Sequence, residues 1–363
     1  MKKNIIHCAE NEKRTFASKA FCAVDSLILS QFAYFYFDGF VADITERSAS
    51  VTIAAIAAKE NTESLYTNLI DSKKNKKLLL ALANSPRFRN IEMNYYVYKL
   101  DYAKEKQFSA CTFILNDGTA YVAYRGTDSY FVGWKEDFNM AYTCPVPAQE
   151  EGVYFLNTVG ALLSSRLRIG GHSKGGNLAV YAAMKCNTDI QNRIIDIFCH
   201  DGPGFREEVF ASSDYRKIKD RIHLFVPQSA LIGLLSEQHE KYVVIKSNRM
   251  GIMQHDPYSW LVEEGDFVYL PDVNHIAVLA NKTLTKWLSS LDDKKREVFV
   301  DTLYSVIEAT GAKTFYDLTE DRRDKALAAL DAIRETDEET RRFVKQVVRS
   351  LVLTAVKSLR AEE

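Results

Sequence analysis

The run Gly170-Gly171-His172-Ser173-Lys174-Gly175-Gly176 constrains this chain more than any other stretch. It holds G-x-S-x-G between Gly171 and Gly175, after the strand-like Leu167-Arg168-Ile169-Gly170 and before helix-forming residues from about Gly176 to Lys185. A strand that turns straight into a helix through one serine brings two backbones so close that only glycine fits on either side. The serine at the tip is held in a strained conformation and projects above the sheet, with a helix N-terminus beneath it that favours negative charge. The competing interpretation is a glycine-rich turn that grips a phosphate.

The pattern around this turn fits an α/β fold. Tyr95–Leu100, Ser109–Leu115 and Ala120–Arg125 are β-rich, and Asn116-Asp117-Gly118 between the last two predicts a hairpin. A helix is expected over Gln149–Ser165, then strands at Ile194–Cys199, Ile222–Val226 and Tyr242–Ile245. Strands alternating with helices imply a mostly parallel sheet covered on both faces. Before it, Val24, Leu27, Ile28, Phe32, Phe35 and Tyr36 repeat at helical spacing with Asp25 as a candidate cap. Val51–Ala58 is a second apolar stretch, and the run Lys73, Lys74, Lys76, Lys77 is read as a solvated helix start. After Pro271 there is no further proline, and Phe343, Val347, Val348, Leu351 and Val352 form a stripe. The expected organisation is a helical region over 1–90 packing on the core, an α/β core over 91–280 and a helical region over 281–363. The last is a candidate homodimer surface.

Composition narrows the class. Lys plus Arg is 47 and Asp plus Glu is 48, for a net charge of −1, so no basic excess marks a nucleic-acid partner. The six cysteines show no CxxC spacing, which removes support for a zinc knuckle or a thioredoxin-like site. Met1-Lys2-Lys3 leads into polar residues with no apolar h-region, and the longest uncharged run, Ile222–Ser236, is shorter than a membrane span. The expectation is a soluble cytoplasmic protein with reduced thiols and no metal or cofactor. No P-loop or G-x-G-x-x-G follows a strand, so nucleotide binding has little support.

A second element lies at Tyr121-Val122-Ala123-Tyr124-Arg125-Gly126-Thr127-Asp128, followed by Trp134, Asp137 and Phe138. A strand ending Arg-Gly-Thr, a Trp and an Asp, then G-H-S-x-G-G, resembles the class 3 lipases of the α/β-hydrolase superfamily. More closely, the chain resembles a lipase-like bacterial branch of that superfamily known as a domain of unknown function. The further motifs are Gly133-Trp134-Lys135-Glu136-Asp137-Phe138, Asp201-Gly202-Pro203-Gly204-Phe205, Val226-Pro227-Gln228-Ser229 and Gln254-His255-Asp256-Pro257-Tyr258-Ser259-Trp260, and the resemblance spans about Ser18 to Trp287.

The resemblance implies roles. Ser173 matches the nucleophile, and Thr127 matches the residue whose loop supplies an oxyanion donor. The N–H of Lys174, directly after the nucleophile, would be the second donor. The Lys174 side chain stands where these lipases often have leucine and is expected to be solvated; a substrate-anion contact is the alternative. Chain order in the fold places the base after the nucleophile. His255, in a loop after a probable strand, leads His239 and His275, while His200 and His223 lie in or beside strands and read as structural.

The acid is less direct. The lipases carry an aspartate in the loop that here reads Val226-Pro227-Gln228-Ser229, without a carboxylate. Asp201, one strand earlier, is the substitute; its competing role is a turn aspartate beside Gly202 and Gly204. Asp256 adjoins His255 in sequence and is badly placed to orient it. A Ser-His dyad, or lost catalysis, stays open. The implied activity is hydrolysis of a carboxylic ester or thioester, of a small molecule or a lipid, with 130–147 as a candidate lid. The rival is a non-catalytic relative that binds a ligand or partner through its helical C-terminal region.

Overall fold

The computed structural model describes residues 3–46, 49–67, 69–128, 130–140, 143–229, 242–274, 293–310, 338 and 341–342. Four helices come first: α1 (Ile5–Asn11), α2 (Ala23–Phe32), α3 (Ile53–Ala57) and α4 (Ser72–Asn84), with β1 (Val51–Thr52) ahead of α3. The strands β2 (Glu92–Asp101), β3 (Lys106–Ile114) and β4 (Thr119–Tyr124) follow. Next come α5 (Phe131–Asn139), α6 (Pro147–Leu162), β5 (Arg166–His172), α7 (Lys174–Lys185), β6 (Ile194–His200), β7 (Ile222–Pro227) and β8 (Tyr242–Ile245). After the small hairpin β9 (Val262–Glu263) and β10 (Asp266–Phe267), β11 (Tyr269–Leu270) closes the sheet.

The nine-stranded sheet runs β1-β2-β3-β4-β5-β6-β7-β8-β11. Its central strands β4 to β8 pair in parallel, and antiparallel strands flank them on both sides. The expected hairpin joins β3 to β4, with Gly118 at φ +80° in its turn.

Both faces are covered, and β4 shows how the sequence divides them. Tyr121 and Ala123 face the layer that holds Leu27, Ile28, Phe32, Leu78 and Leu82 of α2 and α4. Val122 and Tyr124 face the opposite layer, with Leu156 and Val159 of α6 and Ala179 and Ala182 of α7. This period-two split over a strand buried on both sides accounts for its unbroken apolar character.

Asp25 caps α2 as expected, from its third position rather than from the N-cap residue itself. Its carboxylate accepts the Cys22 N–H at 2.9 Å and pairs with Arg87 at 2.6 Å in the core. Lys73, Lys76 and Lys77 are exposed as expected, but Lys74 leans onto the Tyr258 ring and toward Asp71 and Asp256. The stripe from Phe343 to Val352 lies outside the described residues, as do His239 and His275. No described helix is long and apolar enough to cross a membrane.

Candidate active site

The elbow is built where β5 meets α7. Ser173 sits between them at φ +57°, ψ −134°, a conformation that costs a non-glycine residue energy and persists only when its surroundings impose it. The neighbours impose it by contact. A Cβ on Gly175 would strike the Tyr124 carbonyl oxygen, and one on Gly171 would strike the backbone of Gly175 and Tyr124. Two hydrogen bonds finish the turn: the Ser173 N–H donates to His200 O at 2.9 Å, and Gly176 N–H donates to Ser173 O at 2.9 Å.

The adjacent strand end carries Asp201, also at positive φ (+51°), with its N–H donating to Phe225 O at 2.8 Å. Its side chain is 1% exposed, and Oδ2 lies 2.6 Å from Nδ1 of His255. That contact is short, the direction in which charge assistance acts. A carboxylate only accepts, so Nδ1 carries a proton and Nε2 is the nitrogen free to act as a base. The two leading candidates for base and acid, 54 residues apart, therefore meet. Asp256 does not share in this. It turns toward Arg249 at 3.0 Å and Lys74 at 3.5 Å.

The His255 loop is fixed from several sides. His172, the residue before Ser173, points Nε2 at His255 O at 2.8 Å, and its ring lies 4.5 Å from the His255 ring. A carbonyl accepts, so His172 Nε2 is protonated and Nδ1 receives the Tyr34 hydroxyl at 3.1 Å. Burial holds the His172 imidazole well below its ordinary value, which keeps it neutral. Gln254 accepts the Ser229 N–H at 2.8 Å and donates to Arg249 O at 2.9 Å, and its carbonyl receives the Trp260 indole N–H at 2.9 Å. Ser229, just after β7, thus braces the segment that bears the histidine.

Thr127 lies in the loop after β4. Gly126 packs so tightly that a Cβ there would meet His172 O at 2.6 Å, which seats this loop against the elbow. Asp128 anchors the loop: its carboxylate accepts from Arg125, Gln107, the Tyr36 hydroxyl (2.9 Å) and the Tyr130 N–H (2.9 Å). The Thr127 hydroxyl donates to Asp137 Oδ2 at 2.6 Å. Burial pushes the Asp137 carboxyl up to about 6, against the nearby Lys174 charge and the Thr127 bond, which lower it.

Lys174 departs from expectation. Its side chain is 1% exposed rather than solvated, and it is not available to a substrate anion. Nζ bonds Glu136 Oε2 at 3.0 Å and Gln107 O at 3.0 Å. Glu136 and Asp137 lie in the Gly133–Phe138 motif, but nothing in their spacing announces that one holds Lys174 and the other Thr127. His200 and His223 take structural positions: His200 is buried against Ser26 at 2.9 Å, and His223 pairs with Asp196 at 2.9 Å near the surface.

Among solved structures, one titled "Crystal structure of M37 lipase" matches with 16% identity and a TM-score of 0.38, covering 60% of this chain and 71% of that one. A search of curated proteins finds no match. A family model described as Mbeg1-like matches residues 82–305. That span is more than half of the chain and contains the elbow, Thr127, Asp201 and His255, and the protein belongs to the Mbeg1-like family.

Proposed function

We propose that this protein is a lipase-like serine hydrolase acting on carboxylic esters or thioesters. The observation that carries the reading is the 2.6 Å bond between His255 and Asp201 beside a serine strained at an elbow. Ser173 Oγ attacks the acyl carbonyl while His255 Nε2 takes its proton. The oxyanion is held by the N–H groups of Thr127 and Lys174, and Asp201 stabilises the imidazolium. Collapse expels the alcohol or thiol, which receives that proton and leaves an acyl-Ser173. Water, deprotonated by His255, releases the acid and restores the enzyme.

Labelling with a fluorophosphonate probe tests this, read by intact mass on the native protein and Ser173→Ala. A stoichiometric adduct only on the native protein is expected. Its absence in a folded sample, with and without detergent, would favour the non-catalytic binding role instead.

A further inference from the structure

A lysine at the first position of a helix is locally unfavourable, because the helix N-terminus already carries positive partial charge. Lys174 occupies that position in α7 and is buried. Replacing a buried ion pair with packed apolar side chains is often neutral or stabilising, so stability alone does not explain the choice. Its surroundings do. Glu136 is fully engaged: Oε2 also accepts the Gln107 N–H at 3.0 Å, and Oε1 accepts the Ala148 N–H at 2.8 Å. Asp137, next in the chain, commits Oδ2 to Thr127 and turns Oδ1, itself buried and without a hydrogen bond, toward Lys174 Nζ at 3.8 Å. One ammonium therefore stands between two carboxylates. Without it, two negative charges would lie behind the place where an oxyanion develops, in a setting of weak dielectric screening.

We propose that the Lys174 side chain is a positioning residue of the oxyanion hole. Its ammonium holds Glu136 and Asp137 together, and through Asp137 it fixes Thr127, while its own N–H supplies the other donor. One residue thus sets both donors. This rests on the serine-hydrolase reading above.

The test uses the full chain as Lys174→Met and as Lys174→Met/Glu136→Gln, which leaves no uncompensated Glu136. Melting, fluorophosphonate labelling rate, and kcat and KM on a p-nitrophenyl ester are measured. Both variants are expected to lose about tenfold or more in kcat, short of the ~10²–10³ lost when a donor is removed outright. KM should stay within about twofold. In Lys174→Met the acid limb of the rate should move to higher pH, because Asp137, which also faces Glu136, Thr127, Tyr34 and His255, loses its cation. A double variant with native melting and native kcat would overturn the proposal, as would Lys174→Met with native kcat and an unmoved limb. Labelling of the native protein that does not depend on Ser173 would instead sink the hydrolase reading, and this inference with it.

Discussion

Replacing Asp201 by asparagine asks whether its carboxylate orients a catalytic imidazole or merely caps a glycine turn. The substitution is clean in the backbone: Asp201 lies at φ +51°, where asparagine is at least as comfortable as aspartate, and its N–H bond to Phe225 O does not involve the side chain. What changes is the 2.6 Å contact with His255 Nδ1, made by a carboxylate that is 1% exposed. A neutral amide no longer stabilises an imidazolium. With its NH₂ group toward Nδ1 it selects the tautomer whose Nε2 is already protonated and cannot act as a base. The corresponding change in a Ser-His-Asp triad costs about 10⁴ in kcat. At about 1.36 kcal/mol per decade that is about 5.4 kcal/mol of transition-state stabilisation. Steady-state hydrolysis of a p-nitrophenyl ester measures it, with melting as the control for folding. A folded Asp201→Asn protein that keeps kcat within tenfold of native would refute the assignment and return Asp201 to the turn.

Three further outcomes follow from the packing. Arg87→Leu should destabilise the fold by about 3–5 kcal/mol in denaturant unfolding, because it strands the buried Asp25 carboxylate and empties the donors to the carbonyls of Arg14, Lys19 and Ala20. Gly175→Ala should abolish folding of the elbow and fluorophosphonate labelling together, since its methyl would collide with Tyr124 O; a labelled, folded Gly175→Ala protein would contradict the geometry. Asp137, with its carboxyl raised to about 6 by burial, binds more protons folded than unfolded between about pH 4 and 6. The penalty of ionising it thus appears as pH rises and is complete above about 6. The melting difference of Asp137→Asn minus native should grow in the variant's favour between pH 4 and 7, and a pH-independent difference would count against this.

The elements legible in the sequence were those whose cause is local. Glycines that a backbone approach demands marked the elbow, and Asn116-Asp117-Gly118 marked the hairpin. The β-rich run Ala120–Arg125 marked a strand. What escaped depended on distant partners. Asp25 was legible as a cap, but nothing nearby announces its second partner Arg87, 62 residues on. Lys174 looked solvated because its partner Glu136 reaches it only once α5 folds against β3. The candidate acid was half legible: a strand end among glycines offered Asp201, but its pairing with His255 depends on where the loop of Gly251–His255 returns to the sheet.

The proposed position of the acid bears on how relatives of this protein are sorted. A rule that asks for an aspartate directly after β7 would set this chain aside, since Gln228 and Ser229 stand there. In the proposed reading the acid is Asp201, directly after β6, the strand beside the elbow, and the Ser229 main chain after β7, not its side chain, grips Gln254. A census of live and dead members should score the residue one place after the β6 histidine, together with the Gln-His pair, rather than the loop where tradition looks.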